Sequence, residues 1–216
     1  LRAKRRQGIA LIDELVQSAF LEMFGDPREW RERWPVGVIG DMAESVNYGS
    51  SAKSGAEGEW PILRMGNLTM AGRLDLTDLK YLDLRPGDVP KYTVKRGDLL
   101  FNRTNSPELV GKTAVVRTDE PLAFAGYLIR LRTTDRHNSE FISGYLNSKH
   151  GKAVLRGMNK AIVGQANINA KELQSIPIAL PPKGAQDEWA RRVAGLEGQR
   201  ILAQRSLASL DELFAS

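Results

Sequence analysis

Two histidines, one Asp-x-Lys tripeptide and a few polar loops are the places where this chain could do chemistry. His137 and His150 are its imidazoles. General-base work by either needs a nucleophile and an orienting carboxylate within hydrogen-bond reach. Both sit beside charged or polar residues in stretches that read as exposed, and no local Ser or Asp motif completes a triad. Asp78-Leu79-Lys80 has the bare form of a nuclease tripeptide, but no Pro-Asp precedes it at a useful distance. With no Cys in the chain, thiolate zinc sites, Cys nucleophiles and disulfides are excluded. His-x₃-His spacing, a Gly-x-Gly-x-x-Gly fingerprint and a Gly-x-x-x-x-Gly-Lys phosphate loop are absent too. An adenine-modifying enzyme would need an Asn-Pro-Pro-aromatic string. Asn105-Ser106-Pro107-Glu108 lacks the ring that stacks on an extruded base. Catalysis is the weaker reading.

Binding is the stronger one. Tyr48 to Glu59 is a polar, Gly-rich loop carrying Lys53, and Asn102-Arg103-Thr104-Asn105-Ser106 directly follows an apolar run. Gly164-Gln165-Ala166-Asn167-Ile168-Asn169 follows a basic stretch with Lys149, Lys152, Arg156 and Lys160 and no acid among them. Arg pairs bidentately with guanine, and Asn or Gln with adenine, in the major groove of a duplex. The same residue types also populate ordinary turns, and most basic clusters are solvated faces. Asn169 reads better as the N-cap of Ala170-Lys171-Glu172-Leu173 than as a base reader. The formal net charge of +5 leans mildly toward polyanions.

The elements that must position these loops are α+β in pattern. Hydrophobic and charged fractions of 42% and 26% suit one sizeable globular domain with appendages. No apolar run approaches the ~20 residues of a membrane span. Basic residues Arg2, Lys4, Arg5 and Arg6 do not open a signal sequence, because Asp13, Glu14 and Gln17 follow. From about Lys4 to Phe24, Ile9, Ile12, Val16, Ala19 and Met23 form an a/d seam that Leu15 and Phe20 widen, and Gly25-Asp26-Pro27 stops it. After Pro181-Pro182 a second seam runs through Trp189, Val193, Leu196, Arg200, Ala203, Leu207, Leu210 and Phe214. Arg200 is its one charged position and is suited to setting register. Gly195 and Gly198 each weaken that helix by ~1 kcal/mol relative to Ala, so tertiary contacts must hold it straight.

The two helices repeat each other. Ala10-Leu11-Ile12-Asp13-Glu14-Leu15 returns as Ala208-Ser209-Leu210-Asp211-Glu212-Leu213 with the surrounding apolar phase preserved. An antiparallel pair would bury both seams and join the ends of whatever lies between. The repeat, the opening Leu and a second copy that stops midway lead us to expect one unit of a longer periodic object. Between the helices, short strands are expected at Pro61–Met65, Leu99–Phe101, Thr113–Arg117 and Tyr127–Leu131. Turns at Gly49-Ser50-Ser51, Arg85-Pro86-Gly87-Asp88 and Arg96-Gly97-Asp98 separate them. A single helix from Ser139 to about Arg156 is expected to bury Phe141, Ile142, Tyr145, Leu146 and Val154, in a domain with a core of its own. The expected boundaries are 1–26, 27–180 and 181–216.

Ordered strings along almost the whole chain make it resemble the specificity subunit of type I restriction–modification systems. They include Leu15-Val16-Gln17-Ser18-Ala19-Phe20-Leu21-Glu22-Met23-Phe24-Gly25-Asp26-Pro27 and Ile39-Gly40-Asp41-Met42-Ala43. Gly97-Asp98-Leu99-Leu100-Phe101-Asn102-Arg103, Leu109-Val110-Gly111-Lys112 and Gln165-Ala166-Asn167-Ile168-Asn169 continue the series. It closes with Leu173-Gln174-Ser175-Ile176-Pro177-Ile178-Ala179-Leu180-Pro181-Pro182 and Gln186. The family pattern implies a strand-rich target-recognition domain flanked by two long helices that form an antiparallel coiled-coil spacer. Such a domain would bind one half of a split double-stranded DNA target, the spacer acting as a ruler for the gap. Methylation and cleavage would belong to partner modification and restriction subunits, which would hold S-adenosylmethionine, ATP and magnesium. This chain itself would be non-catalytic, cofactor-free and cytoplasmic. It departs from the full pattern in having one recognition domain, as the second half of a full subunit or as a half-length subunit that homodimerises.

DNA contacts are expected from Lys53, Arg64, Asn67, Arg103, Asn105, Lys112, Lys160 and Gln165. Of these, Lys112 and Lys160 would hold phosphate, while Arg103 and Gln165 would read base edges. Ile9, Ile12, Val16, Val193, Leu196, Leu207, Leu210 and Phe214 are expected at the helix–helix interface. The rival readings are the recognition module of a fused single-chain restriction–methyltransferase and a coiled-coil scaffold that does not touch DNA.

Overall fold

The seams decide the frame. The computed structural model describes residues 2–105, 109–158 and 166–213, with the side chains of 2–6, 105, 166 and 210–213 left aside. Helix α1 (Arg2–Phe24) and the final helix α7 (Lys183–Leu213) lie side by side. They run antiparallel: Phe20 meets Trp189 with ring centroids 5.3 Å apart, and Asp13 and Glu197 share the same arginine. Ile12, Val193 and Trp189 are buried, and Ile9, Val16, Leu196, Ala203 and Leu207 are half-buried, as the seams require. Leu15 does not widen the stripe as expected: it points outward and is 52% exposed, as are Leu11, Ile201 and Leu202 to similar degrees. At a 3.6-residue period it lies off the line through Ile12, Val16 and Ala19. The Leu210 side chain and Phe214 fall outside what is described.

The chain enters and leaves the intervening domain at one place. After the short α2 (Trp30–Arg33), β1 (Val36–Val38) pairs antiparallel with β12 (Pro177–Ala179), and the Leu180 N–H donates to Pro35 O at 2.7 Å. Between them come β2 (Ala43–Tyr48), β3 (Trp60–Leu63), β4 (Lys80–Leu82), α3 (Val89–Tyr92), β5 (Thr93–Val94), β6 (Leu99–Asn102) and β7 (Thr104–Asn105). There follow β8 (Thr113–Val115), β9 (Leu122–Phe124), β10 (Leu128–Thr133), α4 (Ser139–Asn147), α5 (Lys149–Met158), β11 (Ala166–Asn167) and α6 (Ala170–Gln174).

Two four-stranded sheets result, one antiparallel in the order β2-β10-β6-β8 and one in the order β4-β3-β9-β5 with β3 and β9 parallel. The antiparallel sheet is the middle layer. Leu99, Phe101, Ile129 and Leu131 face the helices, while Leu100, Ala114 and Leu128 face Leu63, Val94, Leu122 and Phe124 of the other sheet. A strand covered on both faces has no polar side, which accounts for the unbroken Leu99-Leu100-Phe101 run. The expected independence of the core is corrected here. Phe20, Phe24, Trp189 and Val193 of the helical pair belong to the same buried cluster as Phe141 and Ile142 of the domain.

The single helix expected from Ser139 to Arg156 is two. Ser148 is extended (ψ 160), and its Oγ accepts from the Gly151 N–H at 3.0 Å, opening α5 anew. The α4–α5 corner is so tight that a Cβ on Gly151 would stand 2.1 Å from Tyr145 O. Phe141, Ile142, Tyr145 and Leu146 of α4 are buried as their spacing predicts, whereas in α5 Leu155 is buried more fully than Val154.

Candidate nucleic-acid interface

One rim gathers the ends of both sheets. Tyr48 closes β2 opposite Ile129, and Asn102 closes β6 opposite Leu128. The second sheet joins them because Ser50 N–H donates to Phe124 O and Ala125 N–H to Leu63 O, each at 2.9 Å. Side chains that follow these strands, from Lys53, Arg64, Arg103 and Tyr127, therefore emerge around a common edge.

Arg103 is the most tightly placed of them. Its N–H donates to Tyr127 O at 3.1 Å and its carbonyl accepts from the Ile168 N–H at 2.8 Å, which fixes the backbone from both sides. The guanidinium lies 4.8 Å from the centroid of the Tyr48 ring. Such stacking holds a cation in place while leaving its in-plane N–H groups free to donate. Tyr48 is itself held, its Oη accepting from the Ala170 N–H at 2.9 Å. Arg103 Nε and the neighbouring Asn102 Oδ1 are buried polar atoms without partners among the described residues. Buried groups of that kind are rare in native folds and mark places where a ligand or water belongs. Tyr127 stands beside them, 56% exposed.

The other expected contacts divide. Lys53 is exposed on its loop. Arg64 is half-buried and donates to Asp78 O and Oδ2, each at 3.1 Å. Asn67 is buried, and its amide is consumed by the loop: Oδ1 accepts from Arg64 N–H while Nδ2 donates to Asp75 O and Asp78 O. Lys112 is buried as well, with Nζ donating to Met65 O at 2.7 Å, and burial lowers its pKa. Asn67 and Lys112 therefore brace this loop in the structure. The Asn105 side chain, Lys160 and Gln165 lie outside the described residues. Asn169 caps α6 as anticipated, accepting from Lys171 and Glu172 N–H while Glu172 accepts from its own N–H.

Sequence reasoning missed three features. Tyr48 and Tyr127 border turns at Gly49 and Gly126, a signal that strand-end aromatics project. Buried Asp98 receives Arg132 at 2.8 and 3.1 Å, and buried Arg130 donates to Asn47 Oδ1 at 3.0 Å and to Thr93 O. Nothing local in the Leu128–Thr133 strand announces that Arg130 points inward. The third is Arg73, which reaches both long helices. His137, expected to be exposed, is half-buried beside Gln186 Nε2 at 3.3 Å, its pKa lowered mainly by burial and then by Arg136. Among the described residues no three His, Cys, Asp or Glu side chains gather as a metal site.

A family model for the type I restriction modification DNA specificity domain matches residues 31–210. The chain is 28% identical over 164 residues to the putative type I restriction enzyme MjaX specificity subunit of Methanocaldococcus jannaschii, covering 74% of this chain and 38% of that protein. It is 32% identical over 139 residues to the type I restriction enzyme EcoKI specificity subunit of Escherichia coli K12, covering 63% and 30%. Its fold matches the crystal structure of the HsdS subunit from Thermoanaerobacter tengcongensis with a TM-score of 0.58 at 19% identity, over 98% of this chain and 51% of that one. The chain thus spans well under half the length of these curated relatives and about half that of the solved subunit.

Proposed function

The chain belongs to the type I restriction–modification DNA specificity family, and from that premise we propose that it reads one half of a bipartite DNA target. The rim is the reading edge. The observation that carries this is Arg103, held by backbone bonds on both sides and stacked on Tyr48, with a buried Nε that has no partner among the described residues. A preorganised guanidinium of this kind suits bidentate donation to guanine O6 and N7. Lys53, exposed on its loop, supplies sequence-independent attraction to phosphate. Partner methyltransferase and restriction subunits, acting in the cytoplasm, would perform the methylation and cleavage. The antiparallel helices would set the distance to a second half-site, read by a further recognition domain or by a second copy of this chain.

Selection from randomised duplexes tests the reading. Arg103→Ala should relax preference at one base pair by ~1–3 kcal/mol, roughly 5- to 150-fold, while general affinity for duplex falls little. An unchanged preferred half-site would remove Arg103 from the reading edge.

A further inference from the structure

The domain is attached to the helical pair at two separate levels. The first is the aromatic cluster around Phe20 and Trp189, where Trp189 Nε1 also donates to Glu140 O at 2.9 Å. The second is a single side chain. Arg73 Nε donates to Glu197 Oε1 of α7 at 2.8 Å, and its Nη2 donates to Asp13 Oδ1 of α1. Glu197 takes Arg200 Nε on its other oxygen at 2.9 Å, so two cations and two carboxylates close a compact set across both helices. The Arg73 side chain is 12% exposed. Asp13 lies two turns from Phe20, which at 1.5 Å per residue separates the two attachments by about 10 Å along the rod.

Between the attachments lies a cavity of about 550 Å³ bordered by Val16, Gln17, Met70, Gly72, Gly144 and Val193. The shared apolar cluster reaches Val193 and, in part, Val16, and beside them this gap opens between the domain and the rod. Arg73 spans it from a tight turn: Thr69 N–H donates to Arg73 O at 2.9 Å, and Arg73 N–H donates to Thr69 Oγ1 at 3.1 Å. Gly72 in that turn has φ +75, and a Cβ on it would meet Asn147 Nδ2 at 2.5 Å, so the turn lies close against α4. The same loop begins at the rim with Arg64 and Asn67, whose carbonyl accepts from the Asp75 N–H at 2.8 Å. One short loop therefore joins the reading edge to the rod.

We infer that Arg73 is a latch that fixes the angle between the recognition domain and the helical pair. A body held at one level can rock about it, whereas one held at two levels cannot. Resting on the reading of a bipartite target, the latch would determine which gap between half-sites the reader accepts. The sequence repeat supplies an independent pointer, since it carries Asp13 onto Asp211, offering an equivalent carboxylate to a second recognition domain. The loop that follows β3 would then be a positioning element for specificity although it contacts no base.

The absence of Cys makes a direct test available. Spin labels at Glu120→Cys on the domain and Gln204→Cys on α7 report the distance between the two bodies by pulsed electron resonance. The parent should give one narrow distance distribution. Arg73→Gln should broaden or split it, and Arg73→Lys, which keeps a cation, should largely restore it. Asp13→Asn combined with Glu197→Gln removes both rod carboxylates and should broaden the distribution as well, so the test survives if one variant folds poorly. In a reader assembled with two recognition domains, Arg73→Gln should also accept neighbouring gap lengths that the parent rejects, with each half-site sequence unchanged. A distribution as narrow in Arg73→Gln and in the combined Asp13→Asn, Glu197→Gln variant as in the parent overturns the latch whatever the DNA results. Broadening in a chain that selects no half-site would keep the latch and discard the DNA reading.

Discussion

The place where the helical pair meets the domain and the rim that carries Arg103 are opposites in how they treat polar groups. At the helical junction Phe20, Phe24, Phe141 and Trp189 are fully buried, and the one indole N–H among them that needs an acceptor has Glu140 O. At the rim Arg103 Nε and Asn102 Oδ1 are buried without partners among the described residues, while Tyr127 is turned to solvent. Unsatisfied buried polar atoms cost stability, typically ~1–3 kcal/mol each. The fold tolerates that cost at the rim because the junction and the two-faced middle sheet supply the burial that holds the molecule together. Stability is concentrated in one region, and capacity for new hydrogen bonds is kept in the other.

The largest test of this division is Trp189→Ala. Removing a fully buried indole and its bond to Glu140 O should lower unfolding free energy by ~3–5 kcal/mol, measured by urea denaturation. The folded fraction should keep the parent's half-site preference, because Trp189 packs on Phe20, Phe24 and Glu140 of the junction. A loss below ~1 kcal/mol would mean that the junction is not where the chain gains its cohesion.

What was legible in advance follows the same division. The helical seams were readable because a repeating apolar stripe has one physical use, and Ile12, Val16, Trp189 and Val193 lie where the stripe requires. The α6 cap at Asn169 was readable because a capping box is local. The rim was read only in part. Arg103 could be singled out by its position after an apolar strand, but nothing nearby in sequence says that Tyr48 would lie under its guanidinium. Asn67 and Lys112 carry the same residue types as DNA contacts, and long-range folding alone decides that they bond to backbone carbonyls. Arg73 illustrates the limit: its partners Asp13 and Glu197 lie on elements distant in the chain. Periodicity reports burial; it does not report pairing between distant polar groups.

Lys53 sharpens the comparison from the rim side. It is exposed and has no hydrogen bond or ion pair among the described residues, so Lys53→Ala should leave unfolding free energy within ~0.5 kcal/mol of the parent. If its ammonium meets a phosphate, affinity for every duplex should fall together, and the slope of log K against log salt should lessen by about 0.9. Binding isotherms at several salt concentrations on two unrelated duplexes decide it. A loss confined to one sequence would instead make Lys53 a base reader, and a steady slope would remove it from the interface.

The smallest effect is expected at Lys152, which borders the cavity beside the helical junction and donates to Gly111 O at 2.8 Å. Burial, and secondarily Arg156, pushes its ammonium from 10.5 down to about 8. Below pH 8 the lysine is charged in both folded and unfolded chains, and the full cost of burying that charge is present. Between about 8 and 10.5 the unfolded chain binds more of this proton than the folded one, so stability from this site rises with pH. Lys152→Met lacks that dependence but carries a constant offset from the lost bond to Gly111 O. Subtracting its unfolding free energy from that of the parent cancels the titration of other groups. The difference should move in the parent's favour by on the order of 1 kcal/mol from pH 7.5 to pH 10. A flat difference would show that the ammonium is solvated, and that the cavity edge behaves like the open rim instead of the closed junction.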